Sequence, residues 1–99
     1  MWIIRTNEED EPEKTFRILP GGVKTIGRAT GADFIVDSPL ISRVHCRLTL
    51  SDNGELQVKD LDSTNGTFIN GKRIDAATLS SGDRLCLGRY ELMALKDQD

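Results

Sequence analysis

The sequence predicts an all-β fold built from many short strands, arranged as a sandwich or a barrel. Apolar and polar residues alternate with a period of two in several short segments, such as residues 46–50 and 90–95. Turn dipeptides separate such segments, and the Asn-Gly pairs at 53–54 and 70–71 favour tight hairpins. No segment keeps a 3.6-residue apolar period over three turns, so helices are not expected.

The elements follow one another at short intervals. The predicted strands, in chain order, are residues 2–4, 16–18, 23–26, 34–36, 46–50 and 56–58, a hairpin across 67–74, and the pair 84–87 and 90–95. An acidic, proline-containing loop at 7–14 and a Pro-Gly-Gly turn at 20–22 punctuate the first strands. Residues 75–81 have room for one helical turn at most. Residues from about 96 onward are expected to form a frayed tail or the start of a linker.

Length and charge limit the classes of function. At 99 residues the chain is expected to be one domain spanning residues 1–99. Its hydrophobic fraction of 37% suffices for one core. The formal net charge of −3 argues against general nucleic-acid binding, which requires a broad basic surface. The net charge does not exclude a small anion as ligand, because a few arginines can converge locally on an acidic chain.

The cysteines suggest a reducing environment. Cys46 and Cys86 are too few for a disulfide framework and are interpreted as reduced, buried, small apolar residues. With the single His45 they give too few ligands for a metal site, and no cofactor is expected. No apolar run is long enough to span a membrane, and the run at 1–4 is too short for a signal peptide. We therefore expect a cytoplasmic, monomeric domain.

Three segments without strand character carry the residues with binding chemistry. They are residues 27–33, 37–45 and 60–66. Loops on a rigid β scaffold are where binding groups concentrate. Arg28 and Arg43 offer guanidinium groups that fit phosphate oxygens, and the hydroxyls of Ser42 and Thr64 can donate to the same oxygens. The Asn65 amide offers the donor and the acceptor that reading a peptide backbone requires.

Each of these features also has a purely structural interpretation. Gly27-Arg28 by itself is a strand end with an exposed arginine, and Asn65-Gly66 by itself is a hairpin turn. Ser42 and His45 have the residue types of a hydrolytic pair, but a third, orienting partner is missing. A lone histidine beside apolar residues is more often a buried group that ties down a loop. A phosphate-independent protein adaptor is a further alternative to a phosphate-binding domain.

Taken in order, the segments resemble the forkhead-associated (FHA) domain family. The motifs are Gly27-Arg28, then the Ser-Arg-Val-His run at 42–45, then Asp-Leu-Asp-Ser-Thr-Asn-Gly-Thr-Phe-Ile-Asn-Gly at 60–71, then Leu-Ser-Ser-Gly-Asp at 79–83. The resemblance extends from about Trp2 to Leu95. It implies a sandwich of two largely antiparallel sheets with about eleven short strands and a binding site in the loops at one end. It also implies a non-catalytic module that recognises phosphothreonine in an extended segment of a partner.

The resemblance assigns roles residue by residue. Arg28 is similar to the arginine that pairs with the phosphate, and Ser42 to the serine that donates to a phosphate oxygen. Arg43 stands where family members contact the phosphate or the peptide backbone. Thr64 matches a position lining the phosphothreonine pocket, and Asn65 resembles the asparagine that holds the peptide main chain.

Three further residues are implied to support the site. Gly27 would allow a close approach of the loops, His45 would brace the site from behind, and Gly66 would supply a turn. The expected partner is a threonine-phosphorylated protein or peptide from a serine/threonine kinase pathway, with neither nucleic acid nor a membrane involved. The uncharged loop at 38–41 makes a strongly acidic preference a few residues after the phosphothreonine less expected.

Overall fold

In a computed structural model, which describes residues 1–97, the chain forms eleven strands in two sheets. No helix occurs within that range, and so none could cross a membrane. The strands are β1 (Trp2–Thr6), β2 (Thr15–Ile18), β3 (Val23–Gly27), β4 (Phe34–Ile35), β5 (Cys46–Leu50), β6 (Leu56–Asp60), β7 (Thr67–Ile69), β8 (Lys72–Ile74), β9 (Ala76–Leu79), β10 (Asp83–Leu87) and β11 (Tyr90–Lys96).

The two sheets confirm the predicted sandwich. The six-stranded sheet has the order β2-β1-β11-β10-β7-β8, and the five-stranded sheet has the order β4-β3-β5-β6-β9. All neighbours are antiparallel except β3 and β4, which pair in parallel. The chain passes between the sheets several times, and the loops at the ends of β3, β4 and β6 therefore meet at one end.

The core lies between the inner faces of the sheets. Cys46, Leu48 and Leu50 alternate inward along β5, as their period of two predicts, and all three are buried. Phe16 of β2 stacks on Phe34 of β4 with ring centroids 4.7 Å apart, which joins the two sheets. Every buried side-chain nitrogen or oxygen within residues 1–97 has a hydrogen-bond partner.

The two Asn-Gly pairs form different turns. Asn70 and Gly71 have φ values of 50° and 86°, as a two-residue hairpin between β7 and β8 requires. At 53–54 only Gly54 has a positive φ, 88°, and residues 51–55 form a five-residue loop between β5 and β6. Hydrogen bonds between the Ser51 and Glu55 backbones and from Gly54 N to Ser51 O close this longer loop. The predicted hairpin is confirmed, because β5 and β6 pair antiparallel across this loop, but the positive φ expected at Asn53 is not found.

Residues 75–81, which have room for one helical turn at most, form none. Ala76–Leu79 form strand β9, which pairs antiparallel with β6 and places Leu79 opposite Leu56. Alanine is a weak strand former, and the local sequence therefore gives little sign of this edge strand. Pairing with β6 and burial of Leu79 determine its conformation.

Two smaller expectations need correction. Lys96 is the last residue of β11, opposite Trp2, and Asp97 N donates to Met1 O, so the strand extends into the expected tail. The remainder of that tail, residues 98–99, lies outside the described residues. Cys46 is buried and free, as expected, but Cys86 is also free and only half-buried, because it faces outward on β10.

Candidate functional site

Three loops converge at one end of the sandwich. They follow β3 (residues 28–33), join β4 to β5 (residues 36–45) and join β6 to β7 (residues 61–66). The first two are joined by backbone hydrogen bonds from Arg28 N to Ser42 O, 3.0 Å, and from Ala29 N to Arg43 O, 3.1 Å. The third is joined to the second by Thr64 N, which donates to Ser42 Oγ at 3.0 Å. Segments distant in sequence thus form one surface.

Gly27 permits the contact between the first two loops. A Cβ at this position would lie 2.0 Å from the carbonyl oxygen of Arg43 and 2.9 Å from Val44 Cα. Atoms of the backbone cannot move aside as the end of a flexible side chain can. Only glycine therefore fits here without separating the loop that carries Arg28 from the loop that carries Ser42.

His45 connects the second loop to the third from beneath. Its side chain is fully buried, and its two ring nitrogens have different partners. Nε2 lies 2.8 Å from Gly66 O, and Nδ1 accepts from Ser42 N at 3.1 Å. Because a carbonyl can only accept, the proton is on Nε2 and the ring is neutral. Burial lowers the pKa of His45, against the opposing effects of Gly66 O and the Asp60 carboxylate.

Asp60 organises the third loop. One carboxylate oxygen accepts from Ser63 Oγ at 2.5 Å and from Thr67 Oγ1 at 2.7 Å, and the other accepts from Ser63 N at 3.2 Å. Burial raises the pKa of Asp60, but these hydrogen bonds outweigh it and hold the pKa below its usual value. Ser63 Oγ also accepts from Gly66 N at 3.0 Å, which fixes the turn presenting the residues between them.

Four of the five predicted binding residues line one shallow depression. Arg28, Ser42, Thr64 and Asn65 surround a volume of about 130 Å³, together with the loop segment 39–41. Arg43 is exposed beside this depression but does not line it. The structure thus brings Arg28, Ser42, Thr64 and Asn65 together and leaves Arg43 at the margin.

The side chains around the depression retain free hydrogen-bonding capacity. Arg28 Nε donates to Ile41 O at 3.1 Å, which orients the guanidinium and leaves both terminal nitrogens available. Ser42 Oγ accepts one hydrogen bond, so its own O–H remains available to donate. Asn65 Nδ2 donates to Leu40 O at 2.9 Å, which leaves the second N–H and the amide oxygen free. The site can therefore bind an anion and a neighbouring peptide group.

The geometry disfavours the hydrolytic interpretation of Ser42 and His45. Nδ1 of the histidine accepts from the serine backbone N–H rather than from its hydroxyl, and Nε2 is engaged by Gly66. Neither nitrogen is thus placed to take a proton from Ser42 Oγ. Within residues 1–97, no three histidine, cysteine or acidic side chains are grouped to hold a metal ion.

Sequence reasoning missed several residues that shape the site. Asp60 and Ser63 were placed in a loop but given no role, although an Asp-x-x-Ser spacing is typical of side-chain hydrogen bonds that close a turn. Gly88, at the turn between β10 and β11, donates its N–H to Gly66 O at 2.8 Å. A Cβ on Gly88 would lie 3.0 Å from Asn65 Cβ and 3.2 Å from Leu40 O. Nothing local in the sequence signals this contact.

Comparison with known proteins identifies the family. Residues 24–88 match the model of the FHA domain, which covers β3 to the turn after β10 and includes all three loops. The chain belongs to the FHA domain family. FHA domains are non-catalytic binding modules, and they bind phosphothreonine peptides.

Two curated relatives match about three quarters of this chain within longer chains of their own. An ABC transporter ATP-binding/permease protein of Mycobacterium tuberculosis is 41% identical over 75 residues, which are 76% of this chain and 9% of that protein. The glycogen accumulation regulator GarA of Mycolicibacterium smegmatis is 38% identical over 78 residues, which are 79% of this chain and 49% of that protein. The matched region thus spans about half the length, or less, of these relatives.

A solved structure confirms the fold. The FHA domain of the CT664 protein from Chlamydia trachomatis superposes with a TM-score of 0.92 at 21% identity. The match covers 98% of this chain and 98% of that chain. Both sheets of this FHA domain therefore follow the architecture of the family.

Proposed function

We propose that this FHA domain binds a phosphothreonine-containing segment of a partner protein through the three converging loops. The observation that carries the proposal is the depression lined by Arg28, Ser42, Thr64 and Asn65, whose free donors face one small volume. A phosphothreonine carries about −1.5 to −2 charges near neutral pH and three acceptor oxygens. The donor set matches that group in charge and in hydrogen-bonding type.

Each residue has a distinct role in the proposal. The terminal nitrogens of Arg28 and the hydroxyl of Ser42 bind phosphate oxygens, and the exposed guanidinium of Arg43 approaches the phosphate or the peptide backbone from the margin. Thr64 lines the pocket for the phosphothreonine side chain. The free N–H and oxygen of the Asn65 amide bind the peptide main chain. Gly27, His45 and Gly66 hold the three loops in place.

Binding is expected to be micromolar and reversible. Charge-assisted hydrogen bonds contribute roughly 1.5–3 kcal/mol each, so three of them give about 5–9 kcal/mol before the peptide is ordered. A net free energy near −8 kcal/mol corresponds to a Kd of about 1 μM. Because the phosphate accepts most of these bonds, the unmodified peptide should bind at least about a hundredfold more weakly, equivalent to about 3 kcal/mol.

Calorimetric titration with matched phosphothreonine and unmodified peptides tests the proposal. Arg28→Ala should abolish measurable binding of the phosphopeptide and leave the fold intact, because the side chain is exposed and packs little. Arg84→Ala is the matched control, since Arg84 is an exposed arginine on β10 and lines no part of the depression. Equal affinity for the two peptides, or unfolding of Arg28→Ala, would contradict the assignment.

We also propose that the chain is one non-catalytic, monomeric domain, residues 1–99, that acts in the cytoplasm downstream of a serine/threonine kinase. Cys46 and Cys86 lie on strands of different sheets and form no disulfide with each other, as expected of thiols in a reducing compartment. Burial raises the pKa of both thiols, so neither has the thiolate character of a catalytic cysteine. Ultracentrifugation of the purified chain tests the monomer, and a dimer would refute it.

A further inference from the structure

The outer face of the five-stranded sheet carries two cations in one cross-strand position. Arg47 of β5 lies directly opposite Lys59 of β6, and the pair is referred to as the cationic row. Lys59 is exposed and Arg47 is half-buried. Like charges placed directly opposite one another destabilise a sheet. This arrangement therefore weakens the free domain unless a negative group lies over it.

No carboxylate of the described residues neutralises the cationic row. Within residues 1–97 the only ion pair joins Arg5 to Glu13, on the other sheet and its adjoining loop. Asp60, the residue after Lys59, directs its carboxylate to Ser63 and Thr67. The exposed Asp33 carboxylate is bound by the backbone and hydroxyl of Thr25. The positive charge of the row is thus available to a ligand.

The face beside the row is a shallow trough. Small or uncharged side chains form it together with the two cations, and its volume is about 290 Å³. The outward-facing members are Thr49, Gln57, Ala76 and Thr78. Because these side chains are short or uncharged, an extended peptide segment has room to lie over the sheet. The polar side chains of Thr49, Gln57 and Thr78 are available to hydrogen-bond the backbone of that segment.

The cationic row lies near the end of the sheet that carries the candidate site. Arg47 is two residues beyond His45, about 7 Å along an extended strand, and Lys59 immediately precedes Asp60. Both cations therefore lie at the ends of the strands that enter the candidate site. This short separation along both strands puts the cationic row within reach of a segment that leaves the depression over the five-stranded sheet.

The charges of the domain are distributed unevenly around the site. The loop between β1 and β2 and the start of β11 form an acidic cavity of about 590 Å³, lined by Asn7, Glu8, Glu9, Asp10, Glu11 and Glu91. That cavity belongs to the six-stranded sheet, whereas the cationic row lies on the five-stranded sheet. An acidic ligand is therefore repelled by the acidic cavity on the six-stranded sheet and attracted by the cationic row on the five-stranded sheet.

We propose that the cationic row binds a carboxylate-rich segment of the same partner protein whose phosphothreonine occupies the loops. This inference rests on the proposed function, because the phosphothreonine supplies the anchor that brings the acidic segment to the sheet. Asp or Glu side chains of that segment pair with Arg47 and Lys59, and its backbone lies over the trough. The row thereby selects among phosphorylated partners by the charge of the flanking sequence.

Three phosphothreonine peptides with one common core test the proposal. The first carries an Asp/Glu run before the phosphothreonine, the second carries it after, and the third has neutral Ser/Gly extensions. One of the two acidic peptides should bind the wild-type domain roughly three- to tenfold more tightly than the neutral peptide, as expected for two exposed ion pairs. The gain should shrink at high salt, because exposed charges are screened.

A matched pair of double variants locates the effect. In Arg47→Ala/Lys59→Ala the gain from the acidic extension should disappear, while affinity for the neutral peptide is kept. Arg17→Ala/Arg84→Ala removes the same charge from the six-stranded sheet and should retain the gain. Backbone amide shifts at Thr49, Gln57 and Thr78 should respond to the favoured acidic peptide and not to the neutral one.

The outcomes separate this inference from the proposed function. If the neutral phosphopeptide binds and neither acidic extension improves the affinity, the cationic row is no binding site and the proposed function stands. A gain that survives in Arg47→Ala/Lys59→Ala, or is lost equally in Arg17→Ala/Arg84→Ala, also overturns it. If no phosphopeptide binds at all, both fall together. The melting temperature of Arg47→Ala/Lys59→Ala should be unchanged or higher, which shows that lost binding is not lost folding.

Discussion

Replacing His45 by alanine should destabilise the domain far more than replacing Arg28. The imidazole is fully buried and joins two of the three loops through Ser42 N and Gly66 O. Its removal leaves the Ser42 N–H without its partner, at a cost of about 1–3 kcal/mol. It also leaves a cavity, which adds about 24 cal/mol for each Å³ that does not collapse. We expect a total loss of about 2–5 kcal/mol.

The expected loss is large enough to measure and small enough to leave a folded protein. Domains of this size have stabilities of about 5–15 kcal/mol. Each kcal/mol shifts the melting temperature by about 4–8 °C, so thermal melts of His45→Ala should show a decrease of at least about 8 °C. Arg28→Ala loses only the hydrogen bond from Nε to Ile41 O on an exposed side chain, worth about 1 kcal/mol or less.

Two isosteric variants, His45→Asn and His45→Gln, measure how much stability the hydrogen bond of each ring nitrogen contributes. Asparagine at 45 can offer an acceptor near the position of Nδ1, and glutamine can offer a donor near that of Nε2. Gly66 O keeps a second donor, Gly88 N at 2.8 Å, whereas Ser42 N has no alternative partner among the hydrogen bonds of residues 1–97. His45→Asn should therefore recover more stability than His45→Gln.

Similar stabilities of the His45→Ala and Arg28→Ala variants would refute the role given to His45. A melting temperature of His45→Ala within a few degrees of that of Arg28→Ala would mean that the ring does not hold the loops together. If both isosteric variants are as unstable as His45→Ala, packing of the ring dominates and the two hydrogen bonds contribute little. His45→Ala should also bind the phosphopeptide more weakly when measured well below its melting temperature. The reason is that the imidazole no longer connects Ser42 to the loop that carries Thr64.

Two further predictions concern pH and Gly27. Burial lowers the pKa of His45, so on acidification the unfolded chain is protonated near pH 6.5 while the folded domain stays neutral. The free energy of unfolding is therefore unaffected by this group above about pH 6.5 and decreases as the pH falls toward the folded pKa. Melts of wild type and His45→Asn between about pH 8 and 5 should show that extra slope in wild type alone; parallel profiles would contradict it. Gly27→Ala should cost more than about 2 kcal/mol in chemical denaturation and weaken phosphopeptide binding, because the added Cβ lies 2.0 Å from Arg43 O. Gly31→Ala, in the same loop with nothing within 4 Å of its Cβ, should behave as wild type, and equal losses in both variants would count against the close approach.

The sequence by itself determined the fold class and most strands. Period-two alternation along β5 and β11 depends only on which residues are apolar, and burial of one face follows directly. The Asn-Gly pair at 70–71 specified its turn because both residues accept a positive φ. Conversely, strand β9 has little local preference of its own and forms because β6 supplies a partner. The loop at 51–55 likewise shows that an Asn-Gly pair does not by itself determine a turn.

For the site, the sequence determined which side chains with phosphate-binding chemistry lie in loops, and the resemblance of the ordered motifs to FHA domains proposed their roles. Only the tertiary structure decided that Arg28, Ser42, Thr64 and Asn65 surround one depression, that Arg43 stands at its margin, and that Asp60 and Gly88 support it. The physical reason is that hydrogen bonding and close approach join segments far apart in the chain. Such contacts depend on the packing of two sheets, and no local window of sequence contains both partners.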